Sequence, residues 1–202
     1  MNSLLLRVRA HAAVAGLATA LLLGSACSSY RETVGADAQQ NYINHAQSTK
    51  DRFLAKDQTL KRFFEHSYAY VIFPEITKGA AGIGGAHGDG GVAYEKGQVA
   101  GFAEVTQATI GLQLGGQEFA EIIFFEDQPT FWEFKRGNLE FSANASAVAA
   151  ASGAGASADY TRGVAVFTMP MGGLMFEASI GGQKFAYYPK DQYPEAVARA
   201  NE

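Results

Sequence analysis

The stretch from Thr77 to Gly97, TKGAAGIGGAHGDGGVAYEKG, holds the residue types from which a phosphate cradle or a metal site is made. A Walker loop requires Gly-Lys-Ser or Gly-Lys-Thr, and neither follows these glycines; a dinucleotide turn requires GxGxxG, whereas Gly82-x-Gly84 runs on to His87. No helical pattern follows whose N-terminus could receive an anion. What comes next, VAYEKGQVAGF, alternates like a hairpin. The glycines therefore read as sheet residues that let a neighbouring backbone approach closely. His87 and Asp89 fall on one strand face and could offer two metal ligands, but a third at suitable spacing is missing, and Asp89 reads more simply as a turn residue.

Other chemistry is thin. Glu177-Ala-Ser179-Ile-Gly181 lacks the first glycine of a nucleophile elbow, and HExxH does not occur. His11, His45, His66 and His87 share no ligand spacing, and Glu121, Glu126 and Asp127 read as solvated carboxylates at a strand end. The expectation is a protein that is not an enzyme, with no catalytic residues, no metal and no cofactor.

The first residues point to export. MNSLLLRVRAH carries Arg7 and Arg9 without an acid, and the apolar run from Ala12 to Leu23 ends in Gly-Ser-Ala before Cys27. These are the parts of a secretory signal peptide. The run is about a dozen residues, short of the roughly 20 that cross a bilayer. Cys27 is the only cysteine, so an internal disulfide is excluded. Its place resembles the lipobox of bacterial lipoproteins, in which this cysteine is acylated, although Gly24 stands where leucine is usual; an ordinary signal-peptidase site fits the same residues. Residues 1–26 are thus expected to be a lipoprotein-type signal, 27–35 an acylated tether and 36–202 a single domain. By the same resemblance, Ser28 after the cysteine implies an exported protein held at the outer membrane.

Positioning elements follow from periodicity. Residues 36–65 have helical spacing with a break near Ala55 to Asp57, where Asp57 would cap the second helix. Tyr68 to Phe73 reads as a strand stopped by Pro74. Short strand-like runs then recur (VAGFAEV, TIGLQLG, FAEIIFF, LEFSANA, GVAVFTM, LMFEASI, KFAYY), with hairpin corners at Asp89-Gly90 and Lys96-Gly97. PTFWEFK predicts an inserted helix begun by Asp127 or Gln128 and ended by Gly137, and a last short helix spans Pro194 to Ala200. The low-complexity segment from Ser142 to Asp159 predicts a strand and a small-residue loop held against the sheet. The fold class is α+β: a mainly antiparallel, glycine-rich sheet, barrel-like or a sandwich, with N-terminal helices, one inserted helix and a short C-terminal helix.

Charge selects the partner. The chain is formally −4 at pH 7, and without residues 1–26 it keeps 14 basic against 20 acidic side chains, or −6. An acidic surface disfavours nucleic acid. Against this background Lys50, Arg52, Lys56, Lys61 and Arg62 make one locally basic segment, diluted only by Asp51 and Asp57 and interleaved with Phe53, Leu54, Phe63 and Phe64. Basic and aromatic residues on an amphipathic helix suit an anionic lipid surface; the same pattern suits a helix packing its aromatics on a sheet.

Taken together, HSYAYVIFPEITKGAAGIGGAHGDGGVAY, the GLQLGGQ stretch at 111–117, FAEIIFFEDQPTFWEF and the closing GLMFEAS at 173–179 resemble the SYLF domain over about Asp57 to Pro189. That family occurs in bacterial exported lipoproteins and in eukaryotic phosphoinositide-binding proteins. The resemblance implies a non-enzymatic, lipid-anchored protein binding membrane phospholipid, here anionic bacterial lipid. Cys27, in its lipobox-like place, is the expected anchor; the segment corresponding to the family's basic amphipathic helix is Lys50 to Phe64, in which Lys50, Arg52, Lys56, Lys61 and Arg62 are expected to face head groups while Phe53, Phe63 or Phe64 insert. Two alternatives stand beside it: an envelope protein that docks another protein and touches lipid only through its anchor, and a carrier of an apolar ligand inside the sheet.

Overall fold

The computed structural model describes residues 37–141, 147–173 and 180–192, with backbone alone at 80–83, 109–115 and 172–173. The signal segment, Cys27, the tether and the C-terminal helix expected at Pro194 to Ala200 lie outside the described residues.

Helix α1 spans 37–56 and ends at Asp57, whose backbone turns extended (φ −148°, ψ 100°). A 3-10 turn, Gln58–Leu60, and the six-residue α2, Lys61–His66, follow. The Asp57 carboxylate accepts from Thr59 N–H (3.0 Å), so this residue caps the second helical segment as its position predicts.

The chain then runs into two strands of unusual length, β1 Ala69–Glu95 and β2 Gln98–Phe125, paired antiparallel throughout. Pro74 does not stop β1. It lies where the register shifts between Phe73 and Ile76, and at such a bulge a residue without an N–H forfeits no ladder bond. Asp89-Gly90 is likewise no corner but part of a second shift, between Gly88 and Gly91, with Gly90 at φ +67°. Lys96 and Gly97, at φ +51° and +78°, make the true hairpin turn. The short strands read from the sequence between residues 98 and 125 are therefore one strand.

Such a long pair cannot remain flat and bury both faces, and it curls until its ends meet. Lys96 N–H donates to Tyr68 O (3.3 Å), Tyr68 Oη donates to Glu95 Oε1 (2.5 Å), and the rings of Tyr70 and Tyr94 stack at 4.8 Å. On its other edge β2 pairs with β4 Val164–Gly173 through residues 117–125 and with β5 Gln183–Pro189 through residues 101–107. The two-residue β3, Val148–Ala149, runs parallel to β4. The result is a mostly antiparallel sheet that curls like a barrel without closing.

Each sheet face has its own core. The enclosed face gathers Val71, Phe73, Phe119, Ile123, Phe125 and Phe185, and α3, Gln128–Lys135, adds Phe131 and Phe134. Asp127 caps α3 through Thr130 N–H (2.9 Å), and Gly137 ends it at φ +71°. The opposite face carries Ile72, Phe102, Ile122, Phe124 and Phe167 and is covered by α1, the 3-10 turn and α2 through Ala46, Phe53, Leu60 and Phe63. The small-residue segment lies against these helices as the four-residue α4, Ala154–Ser157, whose Gly155 is buried.

Glycine makes the curl possible where β1 passes itself. A Cβ on Gly88 would lie 2.8 Å from Ile76 Cγ1 and 2.9 Å from Glu75 O, whereas one on Gly79 would meet nothing within 4 Å. Gly88→Ala is expected to lower stability by about 1–3 kcal/mol, the usual range for overpacking. Gly79→Ala is expected to be neutral or slightly stabilising, because it only restricts the unfolded chain. Urea midpoints of the two variants check the contrast.

Candidate lipid-facing surface on the helical layer

The break between α1 and α2 brings the basic segment into a tertiary joint. Asp57 is buried and takes four hydrogen bonds: from Thr59 N–H and Thr59 Oγ1 on its own side, and from Gly153 N–H (3.1 Å) and Gly155 N–H (2.7 Å) across the chain. Burial on its own would raise its pKa, but the bonds from Gly155, Thr59 and Gly153 outweigh it and hold the carboxyl below its ordinary value. Arg62 completes the joint, with Nε donating to Gly155 O (2.9 Å) and Nη2 donating to Ala158 O, while its guanidinium lies 4.4 Å from the Phe63 ring centre.

This geometry sorts the expected lipid-binding residues. Phe53 has no exposed surface and Phe63 almost none; Phe63 packs on Phe124, Phe167 and Tyr160. Phe64 is half-buried and meets Tyr70 and Phe124 edge-on. Insertion of Phe53 or Phe63 into a bilayer is therefore corrected: in the folded domain both already fill the core beneath the helices. Lys50 is half-buried, its Nζ 4.6 Å above the Phe64 ring and 5.5 Å from that of Tyr70, a pair of cation–π contacts. Arg62 is committed to the joint. Arg52, Lys56 and Lys61 remain exposed, Lys61 in a loose surface pair with Glu65 at 3.5 Å. Three cations at the α1–α2 corner, with aromatics beneath instead of beside them, are what the structure leaves for a charged surface to meet.

Other positions fall out differently from their sequence pattern. Glu126 and Asp127 are exposed, as expected, but Glu121 is fully buried. The signal was present in FAEIIFF, where Glu121 shares its alternation with Phe119, Ile123 and Phe125. His87 and Asp89 line a groove of about 530 Å³ together with Tyr42, His45 and Glu75, a meeting of α1 with β1 that spacing could not show. Among the described residues no three His, Cys, Asp or Glu side chains converge as metal ligands. Trp132, the single tryptophan, is 45% exposed on α3 with Lys135 and Arg136 over its ring. No described helix is long and apolar enough to cross a membrane, which says nothing of strands.

No protein-family model matches the chain. It is similar to Beta cell expansion factor A of Aeromonas veronii, with 25% identity over 134 residues, covering 66% of this chain and 51% of that protein. The chain thus spans about half the length of this curated relative.

The joint yields a stability prediction. Asp57→Ala removes a cap and leaves Gly153 and Gly155 N–H without their acceptor, which is expected to cost about 2–4 kcal/mol at neutral pH. Because the folded pKa lies below the ordinary 3.8, the stabilisation is present above that value and is lost as pH falls through the folded one. Urea unfolding should show the wild-type advantage shrinking as pH falls below the ordinary 3.8.

Proposed function

We propose that the protein is a membrane-anchored lipoprotein, held at the outer membrane through acylated Cys27, whose SYLF-like domain binds anionic phospholipid at the membrane surface and catalyses nothing. Support for the surface comes from one observation: in an acidic chain, Arg52, Lys56 and Lys61 are left exposed together at the α1–α2 corner while Lys50 and Arg62 are taken up by the fold. With Phe53 and Phe63 in the core, the mode is electrostatic adsorption, not insertion. Each basic side chain near an anionic surface contributes about 1 kcal/mol, too little for lasting attachment alone. Acyl chains at Cys27 would supply attachment, and the cationic corner would orient the domain.

The test is co-sedimentation of residues 28–202 with zwitterionic and anionic vesicles at low and moderate salt. Binding is expected with anionic vesicles only, weakening as salt rises. Reversing Arg52, Lys56 and Lys61 one at a time should weaken it about fivefold each, the equivalent of roughly 1 kcal/mol per charge. Phe53→Leu should leave binding unchanged in protein that remains folded. Absence of binding to anionic vesicles at low salt would overturn the proposal and favour a protein partner in the cell envelope.

A further inference from the structure

Four polar side chains meet on the enclosed face of the sheet. Glu121 on β2 stands directly across from Thr168 on β4, and Gln107, nearer the start of β2, stands directly across from Gln183 on β5. The two rungs belong to opposite ends of β2, and a hydrogen bond spans the interior between them: Gln183 Nε2 donates to Glu121 Oε2 at 3.0 Å. Gln107 Nε2 donates to Gly181 O (2.9 Å), holding the entry to β5 at the same place. All four residues are buried.

Among the described residues the Thr168 hydroxyl has no hydrogen-bond partner, and neither do two further oxygens, Glu121 Oε1 and Gln183 Oε1. Both are acceptors if Glu121 is ionised, and they sit on the two planar groups that the Gln183 N–H already joins. A neutral carboxylic acid carries an O–H donor where a carboxylate carries none. An acid and a primary amide each present one donor beside one acceptor, so a proton on Oε1 lets the pair close with two parallel bonds. We propose that Glu121 is held as the neutral acid, its Oε1–H donating to Gln183 Oε1, and that this acid–amide pair is a proton-operated strut between β2 and β5.

The surroundings favour the neutral form. Opposite Glu121 on β1 is Phe73; β5 adds Phe185, α3 adds Phe131 and Phe134, and β2 itself adds Phe119 and Ile123. The buried cation on β1, Lys78, sits at the Gln117 rung, whereas Lys184 of β5 and Lys135 of α3 are not buried. Burial pushes Glu121 up to about 7, against the opposing pull of its bond from Gln183. A divalent metal is a poor substitute for the proton: one carboxylate among amide and hydroxyl oxygens falls short of the roughly six to eight oxygens of a calcium site and offers none of the nitrogen or sulfur that zinc prefers.

The sign follows from linkage. When β5 opens and Glu121 reaches water its pKa returns to the ordinary 4.5, so the closed state binds the proton more tightly than the open one. The strut is at full strength below that value, weakens as pH rises towards about 7, and adds nothing further above it. This runs opposite to the loss of stability that most carboxylates cause on acidification.

Two measurements test it. With glutamate side chains labelled with carbon-13, one carboxyl of the wild-type protein should titrate near pH 7 by NMR and be missing in Glu121→Gln; ordinary titration of every glutamate would overturn the proposal. Hydrogen exchange of the β5 amides, compared with those at Val71 to Phe73, should show wild-type protection falling about tenfold per pH unit between about 5 and 7. In Glu121→Gln, whose amide can keep both bonds without titrating, that dependence should vanish. A parallel decline in the variant would place the titrating group elsewhere and sink the strut.

Discussion

The structure depends on one constraint: a strand pair of 27 and 28 residues must curl until β1 lies against itself. Everything else is arranged around that curl. The curl gives the sheet an enclosed face, which collects Phe73, Phe119, Phe125 and Phe185, and an outward face, which would be exposed without α1 and α2. It also frees the second edge of β2 for two partners in succession, β5 near its start and β4 near its end. Where the passing segments touch, at Gly88 against Ile76 and Glu75, no side chain fits. A glycine there is a packing requirement before it is a matter of backbone freedom.

This explains what could be read from the sequence and what could not. The class of fold, the helix break at Asp57, the Asp127 cap and the turn at Lys96-Gly97 all follow from local chemistry, and local chemistry is visible in single residues and their spacing. The extent of the strands was not visible. Gly90-Gly91 and Pro74 look like punctuation, yet in this chain they mark bulges within a strand that continues past them. A bulge and a turn call for similar residues, and only pairing to a distant partner separates them. The low-complexity segment poses the same difficulty: nothing local says that Gly153 and Gly155 will bond to a carboxylate almost a hundred residues earlier.

The candidate site shows a second kind of ambiguity. Phenylalanines interleaved with lysines and arginines have the same periodicity whether the apolar stripe enters a membrane or covers a sheet. Here the sheet's outward face needs covering, and Phe53 and Phe63 do so completely. Their basic neighbours then divide according to reach. Lys50 bends back over Phe64 and Tyr70, and Arg62 turns towards the carbonyls of Gly155 and Ala158, because both heads find fixed acceptors or ring faces close to the helix. Arg52 and Lys56 stay in water, as does Lys61 apart from its loose surface pair with Glu65.

Charge on this protein is consequently kept in two separate settings, and the separation governs how each can act. At the α1–α2 corner the cations are hydrated, so their attraction for an anionic surface is cheap to form, easily screened by salt, and alters little within the fold. In the interior, Glu121 is surrounded by aromatic rings and an amide, where a charge costs far more and one proton decides how firmly β5 is held. Asp57 lies between these extremes: it is buried, yet four donors make its charge affordable, and it does its work as an anion. The contrast between two buried carboxylates therefore rests on how deeply each is enclosed and on its donors. Asp57 is given backbone N–H groups by α4 and its own turn; Glu121, on a strand whose N–H groups are already spent in the ladder, receives one side-chain donor and is left to keep its proton.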